Sequence, residues 1–225
     1  MTKTQTKSKQ RVTTHGEVFT AEREVNAMLD LVKQETERID SRFLEPACGD
    51  GNFLAEILRR KLAVVKSRYG RNPADYERYA VVAVTGIYGV DLLQDNIEEC
   101  RDRMFRIFDS EYSISCKKEA NDETREAVKY ILKHNILCGD ALTMKTVSGE
   151  PIVFAEWAAI DERLMKRRDF RFDQMLEERT PDLQLDAFGD SNESGRYELD
   201  ENKNPILSPV REFQPVHYRK VQQHE

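Results

Sequence analysis

The chain has 225 residues, of which 39% are hydrophobic and 34% charged, and its formal net charge is −6. This length is enough for one full-sized hydrophobic core with at most a small appendage. The mean hydropathy of −0.68 and the short apolar runs exclude a membrane-spanning helix, and no apolar stretch follows the basic N-terminal segment as it would in a secretory signal. We therefore expect a soluble, cytoplasmic protein that does not bind nucleic acid through overall basicity.

The pattern of apolar and polar residues divides the chain into three parts. Residues 1–14 form a flexible basic segment, residues 15–176 a patterned body, and residues 177–225 a polar extension in which the pattern fades. We expect this extension to be weakly ordered. The spacing of the cysteines and histidines does not match a metal site, and the four cysteines are predicted to be buried free thiols. These cysteines are Cys48, Cys100, Cys116 and Cys138.

The first half of the body alternates between helical and extended patterns. Apolar residues at helical spacing predict a helix over 22–36, and a short strand follows over 42–46. A second amphipathic helix is predicted over 54–65. The polar stretch 67–79 contains a glycine and a proline and is interpreted as an insertion before the second strand, over 84–91.

The second half of the body continues the alternation. A helix is predicted over 92–108, a polar break over 109–122, and a further helix over 123–133. Two strands then follow, over 134–142 and 151–157. Alternating strands and helices of these lengths predict an α/β domain with a mostly parallel sheet flanked by helices.

A glycine loop joins the first strand to the next helix. The strand ends at Glu45 and Pro46, and the chain then turns through Gly49 and Gly51. Because glycine has no Cβ and tolerates positive φ, such a loop lets a ligand approach the backbone closely. An ordinary tight turn has the same spacing, so the loop alone is weak evidence of a ligand site.

Two aspartates follow the next two strands. Asp91 ends the second strand and Asp140 follows the third. In an open α/β sheet the ligand lies beyond the carboxyl ends of the strands, where an acidic side chain can accept hydrogen bonds from ribose hydroxyls or an exocyclic amine. The alternative for Asp91 is a helix cap.

These segments together resemble the class I S-adenosylmethionine-dependent methyltransferases, specifically the N6-adenine DNA methyltransferases of restriction-modification systems. Residues 43–54 (FLEPACGDGNFL) resemble the first cofactor motif of that family. Residues 87–91 (IYGVD) resemble its ribose-binding acidic motif, and residues 138–142 (CGDAL) the motif that contacts adenine. Residues 16–20 (GEVFT) are similar to the segment that closes over the cofactor.

The resemblance implies a Rossmann-like class I methyltransferase fold, truncated in this chain, with S-adenosylmethionine as cofactor. Glu45, Gly49 and Gly51 would then frame the methionine portion, Asp91 the ribose and Asp140 the adenine amine. The full set of cofactor-binding residues that the resemblance implies is Phe19, Thr20, Glu45, Pro46, Ala47, Gly49, Gly51, Asn52, Phe53, Asp91, Leu92, Asp140, Ala141 and Leu142.

The sequence departs from this family where the target base should bind. The family carries an (Asn/Asp/Ser)-Pro-Pro-(Tyr/Phe) motif after the next strand, and this chain has none. Its two Asn-Pro pairs are poor substitutes. Asn72 lies in the predicted insertion before the second strand, and Asn204 follows a polar segment and has no aromatic residue after its proline. Glu156 and Trp157 are alternative catalytic candidates, although a single tryptophan after an apolar strand is more often core or interface. Residues 166–168 (KRR) could contact phosphate, or begin a solvated helix or form an interface.

Three functions remain open at this point. The first is an S-adenosylmethionine-binding subunit or segment of a DNA adenine methyltransferase, acting on DNA within a complex that includes a second methyltransferase or specificity subunit. The second is a non-catalytic methyltransferase-like binding or scaffold module. The third is a small methyltransferase with a different substrate, in which Glu156 or Trp157 lies near the transferred methyl group. No membrane partner is expected.

Overall fold

The computed structural model describes residues 20–177 and 208–224, together with the backbone of two short strands between these ranges. The α-helices are α1 (Glu22–Asp30), α2 (Lys33–Thr36), α3 (Asn52–Tyr69), α4 (Pro73–Thr85), α5 (Gln94–Cys116), α6 (Asp122–Asn135) and α7 (Phe172–Glu177). The strands are β1 (Phe43–Glu45), β2 (Ile87–Asp91), β3 (Ile136–Cys138), β4 (Val153–Ala159), β5 (Leu164–Arg171), β6 (Glu198–Leu199), β7 (Pro205–Ile206), β8 (Arg211–Glu212) and β9 (Val216–His217). Short 3-10 helices span Lys117–Glu119 and Tyr218–Gln223. In the described part of the chain, the helices are too short or too polar to cross a bilayer.

A three-stranded parallel sheet in the order β1-β2-β3 forms the centre of the fold. Phe43 pairs with Ile87, and Gly89 pairs with Ile136. Each crossover between neighbouring strands contains two helices, as parallel pairing requires a long connection. The predicted α/β class with a parallel sheet and flanking helices is confirmed for these three strands.

Residues 67–69 and 73–79 are helical and only 70–72 form a turn, so the prediction of an insertion is wrong. Helix α3 extends to Tyr69, and α4 begins at Pro73. The side-chain oxygen of Asn72 accepts a 3.0 Å hydrogen bond from the Ala74 N–H. Pro73 is the first helical residue, a position whose backbone N–H has no partner within a helix, so proline loses no hydrogen bond there. Asn72 is therefore a helix cap, and Tyr76 begins the buried stripe of α4.

The predicted polar break over 109–122 is also wrong in its first half. Helix α5 continues through Cys116. Phe108, Tyr112 and Cys116 are four residues apart and all are buried, so one narrow apolar stripe holds this otherwise polar segment against the core.

The last predicted strand does not extend the parallel sheet. Strand β4 pairs antiparallel with β5, with Val153 opposite Arg171. Their connection is too short for the crossover that a parallel neighbour needs, so the two strands form a hairpin. The hairpin packs across one face of the central sheet, where Tyr88 donates a 3.0 Å hydrogen bond to the carbonyl of Ala155. The interpretation of residues 166–168 as a helix start is wrong, because they lie within β5.

Part of the polar extension belongs to the folded body. Strands β8 and β9 both pair with β5. The final 3-10 helix packs on α6 and buries Tyr218 and Val221. The expectation of weak order therefore does not hold for residues 208–224, whose few apolar side chains gain their partners only from the hairpin and α6.

A buried ion pair joins the hairpin to these last residues. Arg167 and Asp169 are 4% and 1% exposed, and the guanidinium makes two hydrogen bonds to the carboxylate, of 2.7 and 2.9 Å. Arg167 also donates to the Tyr130 hydroxyl at 2.6 Å and to the carbonyl of His224 at 3.3 Å. One side chain thus connects β5, α6 and the C-terminal residues.

We expect Asp169→Ala to lower the free energy of unfolding by about 3–5 kcal/mol, because it leaves the Arg167 charge buried without its counter-ion. The matched control is Asp102→Ala, which removes an exposed pair with Arg106 one helical turn away and should change stability by less than about 0.5 kcal/mol. Urea unfolding of both variants measures the difference. Equal effects would contradict the structural role of the buried pair.

Lys61 is a buried cation on α3. Its side chain is fully buried, and its ammonium donates a hydrogen bond to the carbonyl of Ser41 and lies 5.4 Å from the centre of the Phe43 ring. Burial lowers the pKa of Lys61 to about 8. The unfolded chain therefore holds this proton more tightly than the folded chain does.

Stability should consequently rise with pH between about 8 and the ordinary lysine pKa of about 10.4, since the unfolded state binds more protons in that window. Lys61→Met removes the titrating group and should abolish this part of the rise. Lys66→Met, which changes a half-exposed lysine paired with Glu111, should retain it. Urea unfolding at a series of pH values tests the expectation, and parallel pH profiles for wild type and Lys61→Met would refute it.

Candidate functional site

A cavity of about 490 Å³ lies beyond the carboxyl ends of β1, β2 and β3. This volume falls within the range of small-molecule sites in proteins. Its walls come from the loops that follow the three strands and from the first turns of α3 and α5. The cavity is lined by Thr20, Glu45, Pro46, Ala47, Cys48, Gly49, Asn52, Phe53, Asp91, Leu92, Leu93, Asn96, Gly139, Asp140, Ala141 and Leu142.

The glycine loop requires glycine at two positions. Gly49 and Gly51 have φ values of 51° and 86°, and Gly51 immediately precedes α3. A Cβ on Gly51 would lie 2.6 Å from the Cys100 sulfur and 3.1 Å from Met104 Cε. Gly51 therefore lets the loop pack against α5, whereas Gly49 lines the cavity.

An ion pair between the glycine loop and α5 stabilises the loop. Asp50 is 5% exposed and forms a two-point pair with the guanidinium of Arg103 on α5. Arg103 also donates a 2.7 Å hydrogen bond to the side-chain oxygen of Asn52, whose amide donates to the carbonyl of Thr20 at 3.4 Å. These contacts fix the start of α3 and one wall of the cavity.

Asp91 accepts hydrogen bonds from three donors of the site. One carboxylate oxygen accepts from the Gly49 N–H at 3.0 Å, and the other accepts from the Leu93 N–H at 2.9 Å and the Asn96 amide at 3.1 Å. Asp91 therefore lines the cavity, whereas its interpretation as the helix cap is wrong, because Leu93 is the N-cap of α5 and Asp91 accepts from the N–H of that residue and from a side-chain amide. A carboxylate offers about four lone pairs, so one remains for a ligand.

Glu45 contributes a second carboxylate to the cavity. Its partial burial raises its pKa, while a 3.4 Å hydrogen bond from the Ala47 N–H acts in the opposite direction. Glu45 is the last residue of β1 and lines the same cavity as Asp91.

The loop after β3 forms the third wall. Asp140 accepts a 2.9 Å hydrogen bond from the Leu142 N–H, and its backbone bridges to Lys145. This tight turn leaves the Leu142 side chain 91% exposed at the rim, and Leu92 at the end of β2 is 54% exposed. Two leucines at the edge of a polar cavity provide apolar surface for a flat ligand.

Most of the residues predicted for the cofactor line one cavity. Gly51 instead lies behind the wall, and Phe19 lies outside the described residues. Glu156 and Trp157 are absent from the lining. Glu156 pairs with Arg42 at 2.6 Å, and the indole N–H of Trp157 donates to Asn135 at 2.8 Å.

Sequence reasoning missed four lining residues, Cys48, Leu93, Asn96 and Gly139. Asn96 had a local signal, since it follows Asp91 by little more than one helical turn. The neighbouring Cys100 thiol and burial both raise the pKa of Cys48, so this thiol stays neutral and is a packing group and not a nucleophile. The Asp50–Arg103 pair had no local signal, because tertiary packing alone brings these residues together.

Comparison with known proteins finds no matching family model, and neither curated proteins nor solved structures give a significant match. The function is therefore inferred from the motifs and from the geometry of the cavity.

Gly51→Ala should destabilise the protein more than Gly149→Ala. Gly149 has almost the same φ, 87°, but a Cβ there would meet no atom within 4 Å. Both variants therefore carry the strain of a left-handed alanine, of about 1–2 kcal/mol, and only Gly51→Ala adds the clash with Cys100, of about 1–3 kcal/mol. Urea unfolding measures both, and equal losses would show that the loop is not confined by α5.

Proposed function

We propose that this chain binds S-adenosylmethionine in the cavity at the ends of β1, β2 and β3, as the cofactor-binding subunit or segment of a DNA adenine-N6 methyltransferase. The observation that carries the proposal is the convergence of Glu45, the glycine loop, Asp91 and Asp140 on one cavity. Glu45 and the glycine loop belong to the first motif, and Asp91 and Asp140 come from two further motifs that are far from it in the sequence.

The methionine portion of the cofactor fits the β1 side of the cavity. Gly49 brings bare backbone to the surface, and the start of α3 has no acidic residue in its first turn and no described side chain capping it. A helix N-terminus of this kind favours a carboxylate, and Glu45 can receive the ammonium group. Bound S-adenosylmethionine would supply an activated methyl group, so the protein's own task is to orient it.

The purine fits between the exposed leucines. Leu92 and Leu142 can cover the two apolar faces of the ring, and Asp140 retains an oxygen able to accept from the exocyclic amine. Ligand binding would remove the two leucine side chains from water, and this burial of apolar surface would contribute favourably to the free energy of binding.

The ribose meets Asp91, whose role is shared. Its remaining lone pair accepts one hydroxyl, and a second hydrogen bond requires the Asn96 amide to turn away. Asp91 thus both shapes the loop and contacts the sugar, so a substitution there combines the two effects and is a poor test of binding.

A partner supplies the target-base site in this proposal. The sequence has no Asn-Pro-Pro-Tyr motif, and β4 turns back as a hairpin over the face of the sheet. In open α/β sheets the ligand crevice lies where the strand order reverses, and no such reversal occurs among the strands that the structure describes. A second polypeptide would complete that side.

Calorimetric titration with S-adenosylmethionine tests the proposal, with Leu142→Ser as the diagnostic variant. Leu142 makes no contribution to the core, so the variant should fold normally and bind about tenfold more weakly, as expected from losing roughly 1.4 kcal/mol of apolar contact. Leu31→Ser makes the same chemical change at a side chain that is 86% exposed and outside the cavity lining, and should bind as wild type does.

Absence of binding at millimolar S-adenosylmethionine would refute the cofactor assignment. A second measurement addresses the partner: transfer of labelled methyl groups to adenine-containing duplex DNA should be undetectable with the purified chain alone. Transfer by the chain alone would overturn the need for a partner while upholding methyltransferase activity.

A further inference from the structure

A second cavity of about 400 Å³ lies away from the first, between the start of α4, the β4–β5 turn and the residues around β9. The two cavities share no lining residue. The lining of this one consists of Ala74, Asp75, Arg78, Glu162, Arg163, His217, Tyr218 and Arg219. Three arginines from three separate segments thus converge on one open pocket.

A buried carboxylate fixes one of these arginines. Glu77 is 2% exposed and accepts 2.6 Å hydrogen bonds from Arg219 Nε and from the Tyr218 hydroxyl. It also accepts from Tyr112 and from the Asn121 amide. Burial alone would raise the pKa of Glu77, but these hydrogen bonds hold it below its ordinary value, so the carboxylate is ionised and positions Arg219.

The other two arginines come from α4 and from the β4–β5 turn. Arg78 donates a 3.2 Å hydrogen bond to the carbonyl of Asp161. Arg163 is exposed, and its backbone N–H donates to the Asp161 carboxylate at 2.7 Å. Within residues 20–177 and 208–224, the guanidinium of Arg163 forms no ion pair, so its planar set of donors faces solvent at the pocket.

Two carboxylates also border the pocket. Asp75 accepts a 2.8 Å hydrogen bond from the Asn72 amide, and Glu162 is exposed beside Arg163. The ionised Glu77 carboxylate also pairs with Arg219, so the three guanidinium groups are matched by three carboxylates. The pocket therefore favours an anion through the directed N–H donors of its arginines and not through net charge. Burial is the main cause that lowers the pKa of His217, and the charges of Arg219 and Arg163 act in the same direction while Glu77 acts against them.

We propose that this pocket binds a phosphate group, held by Arg163, Arg78 and Arg219. A guanidinium presents paired N–H donors in a plane that matches the oxygens of phosphate. The same chemistry would hold a free phosphate ester or a backbone phosphate of nucleic acid, and the site does not depend on the proposed cofactor function.

Binding of two probes to the full chain, in phosphate-free buffer of low ionic strength, tests the site. Pyrophosphate, followed by calorimetry, represents a free phosphate ester, and a short DNA duplex, followed by fluorescence anisotropy, represents backbone phosphate. Arg163→Gln should weaken binding of at least one probe by about tenfold, because it removes a charge-assisted two-point contact.

The matched control is Arg106→Gln, which removes the same charge from an exposed position on α5 and should leave both affinities unchanged. Glu162→Gln removes a repulsive charge and should strengthen binding of the responding probe by about twofold. Arg163→Gln and Glu162→Gln change exposed side chains, so neither should impair folding. S-adenosylmethionine should bind equally well to these two variants and to the control Arg106→Gln.

The outcomes separate the two sources of phosphate. If Arg163→Gln weakens the binding of pyrophosphate alone, the ligand is a free phosphate ester. If it weakens the binding of the duplex alone, the ligand is a backbone phosphate of nucleic acid. Either result supports the site. The proposal is overturned if wild type binds neither probe, if Arg163→Gln binds as wild type does, if Arg106→Gln weakens binding equally, or if Glu162→Gln weakens it.

Discussion

The carboxylate of Asp91 ties the glycine loop to the end of β2, and the candidate site depends on that contact. By accepting from Gly49 on one oxygen and from Leu93 and Asn96 on the other, it joins the loops after the first two strands. Parallel pairing brings these loops to one edge of the sheet, but it does not set their conformation. A single carboxylate that accepts hydrogen bonds from all three donors does so, because leaving these N–H groups unsatisfied would be costly.

The hairpin gives the chain a different architecture from a sheet that simply continues. Phe154 of β4 packs against Tyr88 of β2 on one face of the parallel sheet, and the Arg167–Asp169 pair connects the hairpin to α6 and to the final residues. This part of the face is therefore covered without a further crossover. In the proposed function, this arrangement explains how a cofactor-binding segment can be a stable folded body while its target-base site comes from another chain.

Sequence patterns were most informative where local chemistry decides the structure. The glycines at positions 49 and 51 adopt positive φ, as the loop was expected to allow, and the three predicted strand ends meet at one cavity. Polar composition led to wrong predictions in segments where a helix has only a narrow buried stripe. The segment around Asn72 looked like an insertion because its exposed face is polar, whereas its cap and the buried Tyr76 make it the start of a helix.

The sequence by itself determined the α/β alternation, the glycine loop and the acidic residues at the strand ends, because strand and helix periodicity and the φ of glycine are local properties. Only the tertiary structure decided the hairpin over the sheet, the packing of residues 208–224, and the Asp50–Arg103 and Glu77–Arg219 pairs. These features join residues that are distant in the chain, and their energies come from burial and charge pairing that no local pattern records. The arginine pocket belongs to the same class, since its three cations come from separate elements.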